Sequence, residues 1–213
     1  MLRILLVFLI ATPLCLAGPP QFGVTDSHGW SLVRIVHGFP IYHKDIADSR
    51  FPQTRTGAMI AAPPAKVHAV ISDYDHFVDF VPYVRDSRTV TRTFDKHLVF
   101  QRLHFPGPLA DRRYIIRITD RVNQAGRDSY RVEWKLEPKQ DVVDDLSGLV
   151  PKYFSGFWEL IPAEQGTATN AIYSIHVDPG GFWPAWLITP AVDHYLPQVM
   201  QAVIERSLID ASQ

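Results

Sequence analysis

The sequence predicts an α+β fold in which a curved antiparallel sheet closes around a C-terminal helix. Three observations predict it. Residues 85–178 are mostly β-patterned, with alternating segments separated by short polar turns. Residues 189–208 carry an apolar stripe at helical spacing. A single short helical pattern, behind Pro63 and Pro64, separates that β region from an earlier β-like part. Runs of strands followed by a helix, without strict alternation, argue for α+β rather than a parallel α/β sheet.

WSLVRIV (30–36) has strand composition, GFP turns the chain, and IYHKD continues it. TRTGAMIAA (54–62) is the next strand candidate. In PPAKVHAVISDYDHF the prolines suit a first helical turn, where an amide would have no partner. Val67, Val70 and Ile71 recur at helical spacing, and Pro82 in FVPYV ends the segment. SRTVTRTF and HLVFQRLHF flank the hairpin pair DK, and RRYIIRITDRV leads through NQAG into SYRVEWKLE. In this last segment Tyr130, Val132, Trp134 and Leu136 alternate with Arg131, Glu133, Lys135 and Glu137. That is a strand with one buried and one wet face. YFSGFWELIP and TNAIYSIHVD pair around AEQGTA. The closing helix is expected to be capped by Thr189, with Pro190 in its first position and a stripe of Val192, Leu196, Val199 and Val203. Pro197 should kink or restart it.

The chain has 213 residues, 46% of them hydrophobic, which suits one domain with a real core. A net charge of −1 gives no field to gather nucleic acid. Residues 1–17 have the layout of a secretory signal peptide: Arg3, an uncharged apolar run, and CLA ending at Ala17. The run is shorter than the roughly 20 residues of a membrane span. A lead-in of residues 18–29 and a domain of residues 30–210 follow, so the expected location is periplasmic or secreted. Cys15, the only cysteine, lies in the signal segment, which leaves the mature chain without disulfide, thiolate or zinc–cysteine chemistry.

Catalytic motifs are missing: there is no G-x-S-x-G, P-loop or G-x-G-x-x-G. DYDHFVD lacks the central glycine and the twelfth-position glutamate of a calcium loop. No H-x-x-x-H pair occurs. No catalytic residue, metal or cofactor is expected on these grounds.

Several segments together resemble START domains, the StAR-related lipid-transfer group of the helix-grip superfamily (SRPBCC). PGPLADRRYIIRI resembles the family's proline loop and strand start, and GWSLVRIVHGFPIYHKD its usual opening. PPAKVHAVISDYDHFVDFVPYVRDSRTV is similar to the first helix and following strand. SGFWELIP and DPGGFWPAWLI resemble the late strand and glycine-rich turn of exported bacterial START-like proteins. The chain departs from the family in carrying Arg113, where an acidic residue usually follows the motif arginine. Arg112 and Arg113 point to opposite faces of a strand, so one can enter the interior.

The resemblance implies a helix-grip fold, a curved antiparallel sheet wrapped around a long C-terminal helix. It implies a cavity for a lipid, sterol or other apolar small molecule, bound and transferred by a monomer. Ligand contacts are expected from Arg112, Tyr114, Tyr130, Trp134, Trp158, Tyr195 and Val199. Phe182, Trp183 and Trp186 are expected at the mouth. There Gly180 and Gly181 would hinge a gate, and the aromatics would touch a membrane transiently. Two alternatives within the superfamily are a ubiquinone-binding chaperone and a cyclase or dehydratase. The enzyme would draw polar groups from His104, Arg112 and Tyr114.

Overall fold

A computed structural model describes residues 25–94, 96–105, 110–122, 128–140, 147–181 and 183–209. The signal segment, most of the lead-in and Phe182 therefore lie outside the described residues. Nine strands form one sheet: β1 (Ser31–Val36), β2 (Phe39–Lys44), β3 (Gln53–Ile60), β4 (Val84–Arg92), β5 (His97–Leu103), β6 (Arg112–Val122), β7 (Tyr130–Leu136), β8 (Tyr153–Ala163) and β9 (Ala168–Asp178). Their spatial order is β1-β2-β3-β9-β8-β7-β6-β5-β4, and every neighbouring pair is antiparallel. Three strands precede the first helix and six follow it, as the patterning predicts.

The helices are α1 (Pro64–Ile71), the single turn α2 (Phe77–Phe80) and the long α3 (Ala185–Leu208). Pro63 caps α1 and Pro64 opens it, so the missing amide costs no helical bond. Register shifts interrupt the edge pairs β1–β2 and β4–β5, and such bulges bend a sheet and raise its twist. The inner face holds one continuous core, which includes Val67, Ile116, Val132, Leu160, Leu196 and Val203. On β7, Val132 and Trp134 are buried, while Arg131 and Glu133 pair on the outer face.

α3 departs from the expected boundaries. Pro184 takes the N-cap position, and the helix starts at Ala185, before the expected cap at Thr189. Pro190 and Pro197 both lie inside it, and the helix continues through each. An internal proline costs roughly 3 kcal/mol. Burial of Leu196, Val199, Met200 and Val203 offsets that, each side chain contributing about 1.5–3 kcal/mol. Tertiary packing thus overrides the local break that the sequence suggests.

Polar contacts also hold α3. Asp193 is only 1% exposed; His43 Nε2 lies 2.6 Å and Arg34 Nε 3.1 Å from its carboxylate oxygens. These contacts fasten the helix to the β1–β2 hairpin. A buried carboxylate needs such partners, because desolvation otherwise penalises its charge.

Candidate ligand-binding site

α3 does not fill the concave face of the sheet. A cavity of about 310 Å³ remains between them, bordered by Tyr83, Phe105, Phe154, Ile175, Val192 and Tyr195 among others. Its volume falls at the low end of the roughly 300–1,000 Å³ usual for small-molecule sites. A second, inner chamber of about 60 Å³ lies deeper, bordered by Gln101, Trp134, Trp158 and Tyr173. Tyr114, Phe154 and Tyr195 border both chambers and so form the partition between them.

The aromatic walls follow from strand alternation. Inward positions of β8 carry Phe154, Gly156 and Trp158, and the facing positions of β9 carry Tyr173 and Ile175. Trp158 stacks on Tyr173, with ring centroids 4.3 Å apart. Trp134 lies across from Gly156 on the neighbouring strand. Tyr114 donates to Gln101 Oε1 at 3.1 Å, and Gln101 donates to Ser87 Oγ at 3.2 Å. Burial pushes the phenols of Tyr114, Tyr173 and Tyr195 well above their ordinary pKa, and neighbouring phenols add to the shift. All three remain neutral. Tyr195 keeps some accessible surface although it lies inside the protein, because it borders the cavity.

Arg112 borders the outer chamber and is 5% exposed. Its Nε donates to the carbonyl of Pro179 at 2.7 Å and its Nη1 donates to the carbonyl of Ala110. Burial pushes its pKa down and Asp111 opposes that. The guanidinium thus holds the end of β9 to the start of β6. Arg113 lies on the other face, opposite Arg102 of β5.

The remaining sequence candidates divide. Tyr114, Trp134, Trp158, Tyr195 and Val199 all border the inner chamber. Tyr130 lies outside both chambers, stacked on His68 with centroids 4.4 Å apart. Trp183 packs beside Gly181, whose added Cβ would sit 3.4 Å from the indole Cδ1. Trp186 is 76% exposed, and the exposed Leu187 follows it. His104 pairs with Asp111 at 2.7 Å and borders neither chamber. Sequence reasoning missed Tyr173, Gln101, Phe154 and Tyr83. The first two occupy alternate positions of strands that it recognised, so their inward direction was available; their convergence was not.

Gly180 and Gly181 have φ of 71° and 80°, the left-handed region that glycine adopts without strain. They connect Pro179, which Arg112 holds, to the start of α3. Leu149 Cδ1 lies 4.0 Å from the Cβ position of Gly181, and Pro151, Pro179 and Ile188 border the outer chamber beside them.

Comparison with known proteins gives the same picture. The profile of the polyketide cyclase / dehydrase and lipid transport family matches residues 60–204. An uncharacterised protein of Pseudomonas aeruginosa is 23% identical over 169 residues, covering 78% of this chain and 82% of its own. A crystal structure of a STAR-related lipid transfer protein fragment from Xanthomonas axonopodis superposes with a TM-score of 0.73 at 22% identity, covering 84% of this chain and 98% of that one. Human StAR-related lipid transfer protein 5 gives 0.72 at 10% identity, over 85% and 88% of the two chains. These likenesses show the START-like helix-grip fold.

Proposed function

The chain belongs to the polyketide cyclase / dehydrase and lipid transport family, and from that premise we propose that it binds one lipid, sterol or other apolar molecule and transfers it. One observation carries this reading: the cavity of about 310 Å³ between sheet and α3, walled mainly by aromatic and aliphatic side chains. Burying apolar ligand surface there contributes about 25 cal/mol per Å², before the costs of ordering the complex. Ligand exchange requires an opening, and the glycine pair ahead of α3 supplies a hinge for it. In this reading α3 and the preceding turn at Gly180 and Gly181 are the gate. The exposed Trp186 and Leu187 beside it meet a membrane interface transiently while cargo enters or leaves. Residues 1–17, read as a cleaved signal, would put the carrier in the periplasm or outside the cell, acting as a monomer.

The test is native mass spectrometry of the protein purified from its own compartment, followed by solvent extraction. One apolar molecule per chain is the expected result. A protein that neither carries nor accepts such a molecule would contradict the proposal.

A second reading, acid–base chemistry of the cyclase or dehydratase kind, has one observation in its favour. The neutral phenols of Tyr114, Tyr173 and Tyr195 all border the inner chamber. It would be favoured if turnover of a cyclisable polyketone disappeared in Tyr195→Phe while binding persisted.

A further inference from the structure

Burial and charge disagree at one residue of the outer chamber. Among the described residues three charged side chains are buried: Arg112, Glu137 and Asp193. Two of them meet an opposite charge inside the fold. Glu137 lies 2.9 Å from Arg117 Nη2, and Asp193 lies 3.1 Å from Arg34 Nε. Neither borders a chamber. Arg112 borders the outer chamber and forms no ion pair among the described residues. Its neighbour in sequence, Asp111, is engaged by His104 at 2.7 Å. A buried charge without a partner is costly, and a guanidinium does not escape by losing its proton.

The guanidinium has donors to spare, and they sit at the chamber wall. An arginine carries five N–H groups. The carbonyls of Pro179 and Ala110 each take one, and neither carbonyl carries a net charge. Pro179 borders the chamber, as does Leu103, the cross-strand neighbour of Arg112 on β5. Nη2 has no partner among the described residues. It is not closed off in the interior either, whereas Nε and Nη1 of Arg113 on the opposite face are. Pro151, Phe154, Val177 and Ile188 supply apolar wall around it. A molecule with an anionic oxygen at one end and an apolar body complements such a wall.

Resting on the carrier reading above, we propose that Arg112 is the subsite for an anionic head group, a carboxylate or phosphate oxygen, on an otherwise apolar cargo. The head lies beside Pro179, on the N–H groups that the two carbonyls leave free. The tail runs inward toward the partition at Tyr114, Phe154 and Tyr195. The cargo thus supplies the charge that the fold withholds, through charge-assisted hydrogen bonds. Neutral and cationic amphiphiles lack that group and are discriminated against.

The experiment titrates the whole protein at pH 8 with four probes of matched chain length: decanoate, decyl phosphate, 1-decanol and decylammonium. Expected is a preference of about tenfold or more for an anion over decanol, and the tighter of the two anions identifies the head group. In Arg112→Gln that preference should fall to within about twofold, and Arg112→Lys, which restores the charge, should recover part of it. The ratio is the readout because a loosened turn at Pro179 would weaken all four probes alike. A second readout needs no variant to fold: the carboxyl 13C resonance of bound decanoate, or the 31P resonance of bound decyl phosphate. Either should titrate at lower pH than in the free probe, since a neighbouring cation favours the charged form and an apolar site alone would disfavour it. His194 also borders the chamber, from α3, and is cationic when protonated, while Asp111 acts in the opposite sense. A lowered titration that persists in Arg112→Gln therefore belongs to His194 and overturns the proposal. Equal or tighter binding of decanol or decylammonium also overturns it and leaves the carrier reading intact. Binding of none of the four overturns both readings.

Discussion

Gly156 faces Trp134 across β7 and β8, so close that any Cβ would fall within 2.4 Å of the indole and of the Ser174 carbonyl. The glycine is therefore a packing requirement of the inner chamber. Gly156→Ala must push either the indole or the sheet backbone aside. Overpacking of this kind costs about 1–3 kcal/mol. A urea titration should show that loss, and an unchanged midpoint would mean that the indole has free room to move.

Arg112 should act as a latch rather than as a ligand contact alone. Its donors satisfy carbonyls on both sides of the cavity rim, at Ala110 and Pro179. In Arg112→Gln those bonds are lost, at a cost of about 1–3 kcal/mol. Amide exchange at Gly180 and Gly181 should accelerate, and ligand should dissociate faster. Unaltered exchange at the two glycines would show that another contact holds the rim.

Stability should fall on acidification below about pH 6.5, the ordinary histidine value. Burial pushes His97 down, and Arg92 adds to this while Asp120 and Asp75 oppose it. Burial pushes His176 down too, against the Phe51 carbonyl and Asp178. A histidine whose folded pKa is depressed binds its proton more readily in the unfolded chain. Its contribution is therefore complete above the unfolded pKa and is lost as pH falls toward and through the folded one. His76 is shifted the other way by Asp73, but it is exposed and should matter little. Thermal unfolding at pH 7.5 and pH 5.5 checks the sign, and His97→Phe should flatten the difference. A protein more stable at pH 5.5 would contradict it.

Trp186 should matter for membranes and not for folding. It is 76% exposed beside the rim, so Trp186→Ser should leave the melting temperature unchanged. Co-sedimentation with phosphatidylcholine vesicles should weaken. Equal vesicle binding by both proteins would remove the membrane step from the transfer scheme.

Much of this molecule is legible in its sequence. The alternation of residues 130–136 and the prolines before α1 report local physics, which the fold obeys. The α3 boundary was not legible, because Pro190 reads as a helix start and Pro197 as a break, while the burial that outweighs them comes from distant strands. Asp193 is a similar case. Its partners, Arg34 and His43, lie 159 and 150 positions away in sequence, so nothing local marks it as buried. For the site, Trp134 and Trp158 could be placed on inward faces one strand at a time. The close packing of the Trp134 indole on Gly156 could not, because it depends on a glycine across the ladder.

The central claim is that an apolar molecule occupies the space beneath α3. Ala191 borders that space from the helix and is otherwise exposed, so Ala191→Trp fills the cavity without entering the packed core. The deciding measurement is a titration of the unmodified protein and of this variant with a fluorescent apolar probe, with the folded state of each checked by thermal melting. The account predicts one site per chain in the unmodified protein and at least tenfold weaker binding in the variant, a penalty of about 1.4 kcal/mol or more. Equal binding by both proteins, or none by the unmodified protein, would contradict it.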